Sequence, residues 1–294
     1  MARRPGRLYG APSTSSEPFE GITVLIGETS MSLSSSLLVF LGAGLAGGLL
    51  LGLIGVGMAL VAVPVLTFAL PHFGVSAEFA PLTAVATSMS VVAVSSVASA
   101  IAHYRLGNVS WGVAKVIIPF ALSGMLLGSL LVPHLPSRML RWIFAAFLIY
   151  VSVDMWRQVG SKAPSHVNVP TSRYRVGGGF IGLAGSVIGA GGAGLLVPLL
   201  TRHGFSMANA VATSTVVGLP VSMLGAIAYA TQPSMGSGVA MLGHVFLPAF
   251  VGIGLGSVIS APLGARLSRR LPANALKRGF ALVLLALAIK LTVG

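Results

Sequence analysis

Residues 44–67 read GLAGGLLLGLIGVGMALVAVPVLT, and 134 positions later residues 178–201 read GGFIGLAGSVIGAGGAGLLVPLLT. Neither stretch carries a charge. Gly44, Gly48, Gly55, Gly57, Pro64 and Thr67 recur as Gly178, Gly182, Gly189, Gly191, Pro198 and Thr201. Both stretches are followed by AVATS, at residues 84–88 and 210–214. An apolar helix needs no shared pattern of Gly, Pro and Thr to be apolar. The repetition points to a duplicated unit whose two glycine-broken segments face one another across a site.

The rest of the composition sets the solvent. Hydrophobic residues make up 55% of the chain and charged residues 8%, whereas a soluble domain carries about 25% charged residues. Mean hydropathy is +0.93. Charge-free runs cover residues 37–70, 79–102, 116–132, 142–153, 176–201, 204–265 and 279–289; a spanning helix needs about 20 apolar residues. The expected fold is an all-α polytopic membrane protein with two homologous repeats of four to five membrane segments, eight to ten in all. The expected divisions are a disordered tail at 1–30, repeat 1 at 31–156, a polar linker at 157–175 and repeat 2 at 176–294. Met31 also reads as an alternative start, since the residues after it resemble a direct membrane-protein beginning. The net charge of +13 does not indicate nucleic acid, because the basic residues sit in short loops between apolar runs, the usual orientation signal of membrane proteins. Cysteine is absent, which excludes disulfides and thiolate chemistry.

Residues 37–70 would form a helix of roughly 51 Å at about 1.5 Å per residue, against a hydrocarbon core of about 30 Å. The segment must protrude or break, and Gly52, Gly55 and Gly57 mark a break near its middle. Irregular backbone at membrane depth is tolerated where it is buried or lines a cavity. Gly44 and Gly48 fit a small-residue packing face equally well. Counting each glycine segment as one span places the basic loop at 266–278 opposite the basic linker. Counting each as a two-armed hairpin gives five elements per half, inverts the halves, and collects most basic loops on one side, as the positive-inside rule prefers. The expected arrangement is therefore inverted repeats with the amino end outside.

From Met31 onward the only carboxylates are Glu78 and Asp154, both near span ends. This disfavours a carboxylate proton relay or sodium site and suits an anion held by helix N-termini and backbone N–H groups. The substrate candidates are Gly55, Gly57, Gly189, Gly191 and Gly192, with hydroxyls from Thr87, Ser88, Thr213 and Ser214. Those hydroxyls could equally join helices. Pro64 and Pro198 read as helix breaks, with Thr67 and Thr201 satisfying the carbonyls they free. His244, inside an apolar run, is a candidate for proton handling. No pattern points to a metal or another cofactor.

The glycine runs ending in VPxL (residues 55–66 and 189–200), each followed by ATS, resemble the TauE/SafE family of membrane permeases over nearly the whole chain after Met31. That resemblance implies transport, usually export, of small anions such as sulfite, sulfoacetate and related sulfur-containing or organic anions across the bacterial inner membrane. The first copy departs from the second: Gly55-Val56-Gly57-Met58 stands where the second has Gly189-Ala190-Gly191-Gly192. The two half-sites are thus expected to be unequal. No GxxxxGK[ST] motif occurs, so energy would come from a gradient or a partner. The alternatives are a non-transporting membrane subunit of a complex, which predicts large polar docking loops, and an intramembrane enzyme, for which no nucleophile and base assemble.

Overall fold

A computed structural model describes residues 37–53, 57–157, 170–233, 240–267 and 273–293. The tail, Gly55 and most of the linker lie outside these residues. The described chain is almost wholly helical. Helix α1 spans Leu37–Leu53. It is followed by α2 (Gly57–Ala69), α3 (Ala80–Arg105), α4 (Trp111–Leu131) and α5 (Ser137–Arg157). The second half holds α6 (Thr171–Ile188), α7 (Ala193–Arg202), α8 (Met207–Ala230), α9 (Leu247–Leu267) and α10 (Ala273–Val293). The nominal linker therefore turns helical at Thr171. A two-residue antiparallel ladder, β1 (Met241–Leu242) with β2 (Val245–Phe246), precedes α9. Five of the helices, α3, α4, α5, α8 and α9, are long and apolar enough to cross a membrane, so the chain is a multi-pass membrane protein.

The packing is that of a protein in lipid. On α9, Val251, Leu255, Ile259 and Leu263 recur every four residues and are exposed, while Gly252, Gly256 and Gly264 face α1. Hydrocarbon tails are as apolar as leucine, so large side chains gain nothing by turning inward, and small residues let backbones approach. Carbons placed at Gly44, Gly48 and Gly52 of α1 would lie within 2.6 Å of α9 atoms, so the packing-face reading of Gly44 and Gly48 holds. Gly124 and Gly128 of α4 meet α6 in the same way.

These contacts come in exchanged pairs. The first helix of each half packs on the fourth of the other, as α1 with α9 and α6 with α4. The second packs on the third, as α2 with α3 and α7 with α8. The third packs on the opposite fourth, as α3 with α9 and α8 with α4, while α3 meets α8 and α5 meets α10. Helix α3 is the most enclosed, and its Ser and Thr side chains explain how a polar sequence can be central. Ser90 and Ser95 donate to the carbonyls of Ala86 and Val91 one turn back, the ordinary way a hydroxyl is satisfied inside a helix.

Ring contacts fix the path of the interrupted segments. Phe40, near the start of α1, packs against Phe73, just after α2, with centroids 5.5 Å apart. Tyr174, near the start of α6, packs against His203, just after α7, at 5.7 Å. Each interrupted segment therefore leaves and returns at one end of the bundle. Both segments double back, and the described residues hold ten α-helices. An ion pair fixes the second hairpin further. The Arg202 guanidinium at the end of α7 donates to Asp154 Oδ1 at the end of α5 over 2.6 Å. Asp154 is 5% exposed and the Arg202 side chain 58%. Arg202→Ala is expected to lower stability by about 1.5 kcal/mol, the low end for a hydrogen bond to a charged group because the cation is well solvated. The unfolding midpoint in detergent reads this, and an unchanged midpoint removes the pair from the forces that dock α7.

Candidate functional site

Helix α6 stops at Ile188 because the next positions adopt left-handed backbone. Gly189, Gly191 and Gly192 have φ of +73°, +58° and +79°, a region that costs other residues about 1–2 kcal/mol. Gly189 closes α6 by donating its N–H to the Gly185 carbonyl over 2.9 Å, the usual left-handed termination. Gly192 opens α7, its carbonyl accepting from Leu195 and Leu196. The interruption lies deep. Gly189 abuts Val85 of α3 and Val63 of α2, while Gly191 abuts Gly218 and Ser222 of α8. Ser88, which donates to the Gly189 carbonyl over 3.1 Å, is about 12 Å along α3 from its start.

Residues 188–194 are all buried. Among the described residues, the N–H groups of Gly191 and Gly192 make no hydrogen bond. Buried orphan amides are rare in native proteins. These two lie beside the N-terminus of α7, where the helix dipole adds positive potential. The surroundings are closed: a carbon added at Gly191 would meet the Gly218 carbonyl and Ser222 Cβ at 3.0 Å, and one at Gly192 would meet Ile181 Cγ2 at 2.5 Å. The interruption is thus occluded by protein in this conformation.

The repeated hydroxyls divide in use. Thr87 Oγ1 accepts from the Phe246 amide directly before α9 over 2.9 Å. Thr213 Oγ1 accepts from the Ser110 amide directly before α4 over 3.0 Å. The same residue of each AVATS thus anchors the start of the other half's fourth helix. Ser88 braces the interruption. Ser214 Oγ is buried and has no hydrogen-bond partner. Of the four, only Ser214 has no visible structural task.

The first half is not a copy of the second. Helix α2 begins at Gly57, so Met58 is helical and buried where its counterpart, Gly192, is left-handed. Gly55 lies outside the described residues. Pro64 and Pro198, expected as helix breaks, sit inside α2 and α7; in the second half the chain turns at the left-handed glycines instead. Thr67 and Thr201 donate to the Val63 and Val197 carbonyls, one residue before each proline. The carbonyls that the prolines free belong to Leu60 and Gly194, four residues back. His244 is in the turn between β1 and β2, outside the spanning helices, and is 2% exposed. Burial pushes its pKa below the ordinary histidine value.

The family model for the sulfite exporter TauE/SafE matches residues 40–291. The chain belongs to the TauE/SafE family. A "probable membrane transporter protein" of Haemophilus influenzae is 30% identical over 259 residues, covering 87% of this chain and 97% of that one. A "probable membrane transporter protein MJ0441" of Methanocaldococcus jannaschii is 26% identical, covering 76% and 83%. A "probable membrane transporter protein YdhB" of Bacillus subtilis is 27% identical, covering 78% and 89%. No solved structure matches. This TauE/SafE chain is accordingly a membrane transporter. The residues that its sequence left unmarked for the site are Val85, Ser222 and Gly185, which wall the interruption. Gly185 alone carried a signal, since it continues the spacing of Gly178 and Gly182, approximately a turn apart.

Proposed function

We propose that this protein is a secondary transporter that moves a small sulfur-containing or organic anion, such as sulfite or a sulfonate, outward across the inner membrane. The substrate would lie between the two interrupted segments, contacting Gly191, Gly192 and Ser214 in one state and the Gly55–Gly57 region in another. The observation that carries this reading is the pair of unpartnered amides at Gly191 and Gly192, buried beside the positive end of α7. Donors fixed in a water-poor place bind an anion without reorganising. The only described carboxylate buried in a helix, Asp154, is paired with Arg202, so among the described residues no carboxylate competes at the interruption.

The exchanged helix pairings support inverted repeats, and inverted repeats give alternating access by rocking about a central site. The occluded interruption fits one stage of such a cycle. Flux of sulfite, sulfonates and carboxylates in proteoliposomes, with and without a pH gradient, tests the proposal. Anion flux above that of empty liposomes is expected. A folded protein that moves none of the panel under either condition refutes it.

Two substitutions separate scaffold from substrate contact. Ser88→Ala removes the brace on Gly189 and is expected to cost about 1 kcal/mol of stability. Ser214→Ala breaks no bond within the protein. It should leave the unfolding midpoint unchanged and raise the transport KM about tenfold, the value of one hydrogen bond to a charged ligand. An unaltered KM excludes Ser214 from the substrate site.

A further inference from the structure

Counted from the starts of their helices, Asp154 of α5 and Lys290 of α10 stand at the same position, and Arg202 of α7 follows Phe68 of α2 at the repeat offset. At one end of the bundle the pair is Arg202 on Asp154, a cation neutralised by a carboxylate. At the other end Lys290 Nζ lies 4.8 Å from the centre of the Phe68 ring, and among the described residues no carboxylate completes the contact. Phe68 also lines a cleft of about 150 Å³ whose other walls are Thr67, Pro71, His72, Arg141 and Leu291. Arg141 donates from Nη2 to the Ala77 carbonyl over 3.3 Å, but its Nε is buried with no partner. The neighbouring carboxylate, Glu78, is exposed and forms no ion pair with Arg141. His72 donates from Nδ1 to the Phe68 carbonyl. Positive charge is therefore gathered around an open cleft without a counter-ion among the described residues.

From this we infer that the cleft where α2, α5 and α10 meet is a docking site for a small oxyanion, separate from the interruption and at the end of α5 opposite Asp154. It rests on and deepens the reading of the chain as an anion transporter, placing a waiting position at one mouth of the path. A liquid water occupies about 30 Å³, so the cleft holds an oxyanion with part of its hydration. Arg141 supplies the planar donor edge that suits oxyanions. Lys290 adds a point charge that the Phe68 ring face steadies. A lysine near a helix C-terminus needs no ligand to explain it, but that account does not cover Arg141, which lines the cleft and has no ion pair among the described residues. The oxyanion can be a free solute or the phosphate of a lipid headgroup.

The test is equilibrium binding of labelled sulfite and sulfate to the full chain in nanodiscs of neutral lipid, alongside retention of anionic lipid in mixed discs. Arg141→Gln and Lys290→Gln are each expected to weaken binding about tenfold, as for loss of one charge-assisted contact. Lys290→Gln leaves the Arg141 bond to Ala77 intact, so it remains informative if Arg141→Gln misfolds. Loss of solute binding in neutral discs identifies a free anion as the occupant. Loss of anionic-lipid retention alone identifies a headgroup. Gly191→Leu, expected to remove transport, should keep this binding, so failure of the docking site and failure of the transport reading are told apart. No binding by the wild type in either disc, or binding that both substitutions leave unchanged, overturns the inference.

Discussion

Gly191→Leu is expected to reduce anion flux to the background of empty liposomes while the protein still inserts and purifies. The effect has two sources. At φ of +58° a side chain strains the backbone by about 1–2 kcal/mol. Its Cβ would also press on the Gly218 carbonyl and Ser222 at 3.0 Å, and the three further carbons of leucine would have to enter the packing around the interruption. Either the turn between α6 and α7 reopens or α8 moves away, and both displace the amides of Gly191 and Gly192. Insertion depends on the summed apolarity of the helices, which leucine does not lower. Gly254→Ala is the control, since a carbon there meets nothing within 4 Å; it should transport normally. Flux at the wild-type rate in Gly191→Leu would remove the interruption from the mechanism.

Gly182→Ala should fail at an earlier step, in assembly. A carbon at this position would stand 2.0 Å from the Ala121 carbonyl and 2.8 Å from the Met125 amide. These are backbone atoms of α4, so no rotamer change relieves the clash, and the two helices must part. Parting them also undoes the contact of Gly124 with Gly179. Overpacking of a well-filled interior costs about 1–3 kcal/mol and occasionally more; a clash between backbones belongs at the upper limit. The expected outcome is a large fall in the unfolding midpoint or loss of monodisperse protein. Gly52→Ala, whose new carbon would meet the Ala261 carbonyl at 2.1 Å, should show the same defect at the α1–α9 contact. Wild-type midpoints in both would mean that α4 and α6, and α1 and α9, are not in backbone contact.

Gly182 and Gly191 show how far the letters can be read. Both are glycines in one apolar run, and their neighbours do not distinguish them. One serves helix packing and the other a left-handed turn, and the difference lies in φ and in which element stands opposite. The threonines of AVATS are similar. Their repetition marked them as important, but their partners at Phe246 and Ser110 are amides 159 and 103 positions away. No local pattern announces such a partner. The prolines misled for a different reason. A lost backbone hydrogen bond is tolerated within a membrane helix when neighbouring groups re-satisfy the backbone, so Pro64 and Pro198 remain helical, and in the second half glycines make the turn.

By itself the sequence determined the solvent, the helical class, the family, the repeated glycine interruptions and the shortage of carboxylates. These depend on composition and spacing, which survive without any contact being known. Tertiary structure decided that the interrupted segments are hairpins, because Phe40 against Phe73 and Tyr174 against His203 bring their ends together. It also decided that Asp154 belongs to Arg202, and that Thr67, Arg141 and Leu291 share a cleft. Each of these joins residues on different helices. In lipid, where helix faces differ little in apolarity, backbone-to-backbone fit at small residues chooses which helices meet.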